Sequence, residues 1–185
     1  MAMGDTKRAD MFLDLAEDPR ENGPSLGDER ATLAEFLRCQ RLTLEVKCAG
    51  LDAAQLARRS VEPSTMSLLG LVRHMADVER YWFRRVLAGL DVAKVYSTDD
   101  DRDGDFDGAA ADPAVVEEAW ARWRDEVAFA ERFLAETDDL GAVAHDRHGN
   151  AISVREVLVH MVEEYARHNG HADLLRERID GRVGQ

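Results

Sequence analysis

The sequence predicts an all-α protein built as a four-helix bundle, and three observations carry that prediction. Four long stretches place apolar side chains at helical spacing. Capping residues, glycines and one well-placed proline punctuate them. No segment reads convincingly as a strand, and no internal repeat recurs along the chain.

The 185 residues suit one domain with a full-sized core. Residues 1–27 are polar and read as a loosely held arm with at most one short helix around Ala9 to Ala16. The bundle is expected over 28–185. Its first long helix covers 28–49, with Leu33, Phe36, Leu37, Leu44 and Cys48 on one face and Gly50 as its stop. A brief helix over 51–58 leads to a break at 61–64. The second long helix runs over 67–88 to Gly89 and is apolar around much of its circumference, from Leu68 and Leu69 through Met75 to Trp82 and Phe83. Asp112 before Pro113 is an N-cap followed by proline at the first helical position, opening a third helix to about 136 whose buried stripe includes Val116, Trp120, Trp123 and Leu134. Ser153 with Glu156 forms a capping box for the fourth helix, over 153–178, ended by Asp180 and Gly181.

Two links remain. Residues 90–112 are acidic, and Asp101, Asp103 and Asp105 alternate like the start of a calcium loop. The glycine falls at 104 rather than at the sixth position and no Glu occupies the twelfth, so a solvated, mobile loop is expected. Residues 137–151 carry His145, Asp146 and His148, for which a polar turn near Gly149 and Asn150 is the simplest account.

Composition excludes some partners. Lys and Arg number 24 against 37 Asp and Glu, a net charge of −13. So acidic a surface repels phosphate backbones and anionic membranes, and no local basic patch is evident; neither nucleic acid nor membrane is an expected partner. No apolar run approaches a membrane span, and Met1 to Arg20 lacks the apolar centre of a signal peptide. Cys39 and Cys48 fall on opposite sides of one helix, so both are read as reduced thiols of a cytoplasmic protein.

The chemistry concentrates in the fourth helix. At 100° per residue, His160, Glu164, His168 and His171 lie within about 80° of one another. Glu164 and His168 stand one turn apart, the spacing by which one helix offers two donors to one metal ion. A catalytic site normally takes three protein donors, so the third comes from elsewhere. His74, in the middle of the apolar second helix, must be hydrogen-bonded, charged and paired, or bound to something, because bare buried nitrogens cost a few kcal/mol. Donors on facing helices are how bundles build sites, and His74 with Glu164 and His168 would provide one.

The segment Ser67-Leu-Leu-Gly-Leu-Val-Arg-His74-Met-Ala-Asp-Val-Glu-Arg-Tyr-Trp-Phe83, followed by His160-Met-Val-Glu-Glu164-Tyr-Ala-Arg-His168-Asn-Gly-His171-Ala-Asp173, resembles the DinB-like superfamily of four-helix metalloproteins. The likeness is nearest to the actinobacterial branch that includes mini-circle proteins, and it spans roughly residues 28–182. It implies that His74 and two residues of the fourth helix bind a divalent metal, zinc ahead of nickel. Glu164 stands where the usual pattern has a first His, as in mycothiol-dependent maleylpyruvate isomerase, a distant relative. That isomerase has a further C-terminal domain absent from this sequence, so isomerisation itself is not expected. The resemblance also implies a low-molecular-weight thiol such as mycothiol, activated at the metal to attack a small electrophile. Asp77 and Tyr81, one and two turns from His74, become candidate catalytic or proton-handling groups, although Asp77 equally suits a salt bridge with Arg73 or Arg80. His160 and His171 read as supporting or rim groups, or as hydrogen-bonded packing histidines.

Two functions stay open: a metal-dependent thiol S-transferase or related detoxification enzyme, and a non-catalytic protein that binds a metal or small ligand. An enzyme leaves an open coordination position, whereas a structural site is closed by a fourth donor such as His171. A bundle of this size suits a homodimer, with no interface legible in one sequence.

Overall fold

The computed structural model describes residues 10–185. Helix α1 spans Glu29–Cys48, α2 Ala53–Ala57, α3 Leu68–Glu79, α4 Gly104–Asp107, α5 Pro113–Glu136 and α6 Val154–Asp180, with strands β1 (Val143–His145) and β2 (Ala151–Ser153) before the last helix. The start signals act as expected. Asp28, Ser67, Asp112 and Ser153 each accept a backbone N–H of the first turn they cap, and Gly181 ends α6 with φ 79°. The complete reciprocal capping box, however, forms at Asp52 and Gln55 of α2.

The fold is all-α, and the four long helices pack as α1 on α6, and α3 on both α5 and α6. The core between them is apolar, with Leu37, Leu44, Leu69, Met75, Leu158 and Met161 fully or almost fully buried. One polar chain crosses it. Arg41 of α1 donates twice to Glu79 of α3, at 2.7 and 2.8 Å; Tyr165 of α6 donates to Glu79 at 2.8 Å; Trp123 of α5 donates to the Tyr165 oxygen at 2.8 Å. Each long helix thus contributes one member. Because a buried charge must be paired, this network fixes how far each helix is rotated and seats α6 one residue from Glu164.

Beyond Glu79, α3 widens into a π-helical segment, Arg80–Leu87, in which Ala88 N–H reaches back five residues to Phe83. The extra residue in the turn shifts Tyr81, Trp82 and Arg85 relative to an ideal 100° wheel.

Several expectations are corrected. Phe36 is 60% exposed. The buried face of α1 instead runs through Leu37, Arg41, Leu44 and Cys48, so a charged residue lies inside the stripe. The link expected over 137–151 is not strand-free: it forms a small antiparallel hairpin with the residues just after it, pairing Val143 with Ser153 and His145 with Ala151. Its turn is polar as expected, with Asp146 accepting the N–H groups of His148 and Asn150 at 2.8 and 2.9 Å.

The arm is also better held than its composition implies. Ala9 lies outside the described residues, and from Asp10 to Ala16 the chain bends and turns without a helix. Phe12 is buried, donates its N–H to Gln185 at 2.7 Å, and is flanked by the cationic groups of Lys47 and Arg182 at 4.3 and 3.8 Å. Among the described residues, no helix is long and apolar enough to cross a membrane.

Candidate metal centre

Residues 90–112, expected as a mobile solvated loop, are laid instead along one stripe of α3. Positions 70, 73, 74, 77 and 81 share that stripe, and most of them hold the link. Gly70 admits Phe106: a Cβ there would lie 2.6 Å from the ring. Arg73 donates to the carbonyls of Asp105 and Gly104 at 2.7 and 2.9 Å. Asp77 accepts the N–H groups of Val95 and Ser97 at 2.6 and 2.9 Å.

His74 receives Asp105. Its Nδ1 lies 2.7 Å from Asp105 Oδ2, and Phe106 stacks on the ring at 5.4 Å between centroids. With Nδ1 engaged as donor to a carboxylate, Nε2 keeps its lone pair for a ligand, the arrangement that orients metal-binding imidazoles.

On α6, His168 stands 4.7 Å from the His74 ring, centroid to centroid, and its Nε2 lies 3.6 Å from Glu164 Oε2. One ligand atom each from His74, Glu164 and His168 lies within 4.8 Å of the others, and this is the group among the described residues that could hold a metal ion. Burial, with the nearby His74 and His171, pushes the His168 imidazole down to about 4, so at neutral pH it is unprotonated and ready to donate its lone pair. Two imidazoles and one carboxylate suit a borderline divalent ion such as zinc or nickel. The Asp run at 101–105 forms no such group.

The other predicted residues distribute around this centre. His171 Nδ1 is 3.4 Å from His168 Nδ1, behind the donor rather than in the group. His160 Nε2 is 3.4 Å from the second Glu164 oxygen, and its ring meets Trp82 edge-on at 4.8 Å. Tyr81 lines a small cavity of about 90 Å³ beside His74, together with Asp77, Val78, Trp82 and Lys94. Asp77 pairs with neither Arg73 nor Arg80; its carboxylate is spent on backbone N–H groups of the link, and Arg80 turns to Glu126 at 2.8 Å. Asp105 is the residue the sequence reading missed. The signal was present: a histidine on an apolar face needs a partner, and the acidic link leaves from the end of the same helix.

The centre opens to one side. The side chains of His74, Glu164 and His168 are 25%, 17% and 12% exposed. A helical bundle with a His from its second long helix and a Glu and His from its fourth, converging on a half-buried point, defines a DinB-like protein. Residues 32–181 match the family model described as mycothiol-S-transferase, and the chain belongs to that family. No curated protein matches the chain.

Proposed function

We propose that the protein is a metal-dependent thiol S-transferase in which His74, Glu164 and His168 hold a divalent ion and mycothiol is the thiol. The observation that carries this reading is the three-donor group with an exposed flank. A structural site takes four protein donors, while a catalytic one takes three and leaves a position for substrate. The family match supports the thiol.

When bound, the ion lowers the pKa of a thiol presented to it, supplying thiolate at neutral pH. The residues do the rest. Asp105 holds His74 in one tautomer and orientation, and His171 stands behind His168. The wall formed by residues 93–97, pinned by Asp77, shapes the approach beside His74; Asp77 is a positioning residue here. In the reaction the thiol sulfur forms a bond to an electrophilic carbon as the leaving group departs with its bonding pair. The thiol proton passes to solvent or to that leaving group, with the Tyr81 hydroxyl at the cavity wall as the proton-handling group.

The test is conjugation of mycothiol to monobromobimane by zinc- or nickel-loaded protein. Conjugation above the uncatalysed rate, lost with His74→Ala, is the expected result. A rate unchanged by adding loaded protein overturns the assignment.

A further inference from the structure

Next to the metal centre lies a cleft of about 480 Å³ lined by Tyr81, Arg85, Lys94, Arg102, Arg147 and Asp99, among others. Its volume suits a small organic molecule. Four cations and one carboxylate face it, in a chain whose net charge is −13. They come from three separate segments: Arg85 from the π-helical turn, Lys94 and Arg102 from the acidic link, and Arg147 from the hairpin turn.

None of the four makes an ion pair with a carboxylate among the described residues. Lys94 is held by Ser97 at 3.1 Å and Arg147 by His148 at 3.0 Å, both uncharged or weakly basic partners. With acidic residues so abundant, leaving these four without one keeps a positive potential in the cleft. Arginine forks match carboxylate and phosphate oxygens two at a time. Tyr81 and Lys94 line both this cleft and the small cavity at His74, so the two spaces adjoin.

We propose that this cleft binds the oxyanion of the acceptor, so that the electrophile conjugated at the metal centre carries a carboxylate or phosphate group. The acceptor half of this statement rests on the S-transferase reading; the anion site does not.

Calorimetry of succinate and of inorganic phosphate, each titrated at low salt into metal-loaded protein, separates the two oxyanions. Arg102→Gln with Arg147→Gln is expected to weaken the preferred anion by about tenfold or more, since each charge-assisted hydrogen bond is worth on the order of that factor. His74→Ala is expected to retain binding, which distinguishes the cleft from anion capture by the metal. Binding of neither anion, equal affinity in the double variant, or loss of binding in His74→Ala would each overturn the proposal. Conjugation assays then compare a carboxylate-bearing electrophile with its neutral ester: the double variant is expected to raise KM about tenfold for the acid and leave the ester unchanged. Equal changes for both overturn the acceptor assignment. Failure to conjugate either one tells against the S-transferase reading and leaves the calorimetric result intact.

Discussion

Asp105 hydrogen-bonds His74 at 2.7 Å across 31 residues of chain, tying the acidic link to the middle of the second long helix. The pair makes the link part of the candidate metal centre. Asp105→Asn keeps the shape but weakens the charge that steadies Nδ1–H, so zinc affinity should fall by about 10- to 100-fold, as for other partners of metal-binding histidines. His74→Ala, Glu164→Ala and His168→Ala each remove a donor and should lose stoichiometric metal altogether. Competitive chelation and elemental analysis measure both effects. Full metal content in all three alanine variants would refute the donor set.

The Arg41–Glu79–Tyr165–Trp123 chain makes a different prediction, on stability. Glu79→Ala leaves the buried Arg41 guanidinium with only the exposed Glu131 carboxylate, at 3.9 Å, and breaking such a pair from one side costs about 3–5 kcal/mol. Tyr165→Phe leaves the Trp123 N–H without its acceptor and Glu79 short of one donor, at about 1–3 kcal/mol. Urea unfolding should rank Glu79→Ala well below Tyr165→Phe, and the reverse order would show that the network is not what seats the helices.

The four long helices, and the three candidate donors that the structure brings together, were legible because both depend on local spacing. Helical period and caps place Glu164 and His168 on one stripe, and His74 stands out as a polar residue on an apolar one. Asp105 was not legible, since its role depends on where a 23-residue link settles in three dimensions. Its aspartates looked like solvated charge, Gly70 and Arg73 carried no local signal of seating the link, and Asp77, which holds its backbone, read as a catalytic or salt-bridging group. The cationic cleft escaped for the same reason. Arg85, Lys94, Arg102 and Arg147 are scattered along the sequence and gathered only by folding. Arg41 is a complementary case: it lies on the buried face of α1 because Glu79, 38 residues away, draws it in, and local spacing carries no sign of that.

The protein's own thiols should be poor nucleophiles. Burial pushes the Cys48 thiol up to about 12, and burial with the neighbouring Glu35 carboxylate raises Cys39. Iodoacetamide at pH 8 is expected to leave Cys48 unlabelled until the chain unfolds and to label Cys39 more slowly than free cysteine. Rapid labelling of either in the native protein would contradict this, and would admit an enzyme thiol in place of an external one.

Asp18 gives a pH dependence. Its carboxylate accepts three bonds from the Arg20 guanidinium and one from the Arg20 N–H, which hold its pKa below the ordinary carboxylate range. The folded form therefore binds a proton less readily than the unfolded chain. The stabilisation is complete above about pH 4, the unfolded value, and fades as pH falls through the lower folded one. Asp18→Asn should lower stability by about 1 kcal/mol or more at pH 7, and the gap from the unaltered protein should close towards pH 2. A gap that does not change between pH 7 and pH 2 would place the effect outside this titration.

Gly70→Ala sets two effects against each other. In a helix interior alanine is favoured over glycine by about 1 kcal/mol, so propensity alone predicts a more stable protein. The added methyl, however, would sit 2.6 Å from Phe106 Cδ1 and 3.3 Å from the Phe106 Cα. An aromatic ring packed against α3 and stacked on its His74 has little freedom to move aside, and overpacking of this kind costs about 1–3 kcal/mol. The clash wins, and relief comes from lifting Phe106 together with its neighbour Asp105. The variant should be less stable by about 1 kcal/mol and should also bind zinc more weakly, although residue 70 contacts no donor. Phe106→Ala in the same chain removes the obstacle, so Gly70→Ala added to Phe106→Ala should become stabilising by roughly the helix-propensity gain. Thermal unfolding of the four proteins with and without zinc measures the cycle, and a Gly70→Ala variant with undiminished zinc affinity would show that the seating of Phe106 does not support the centre.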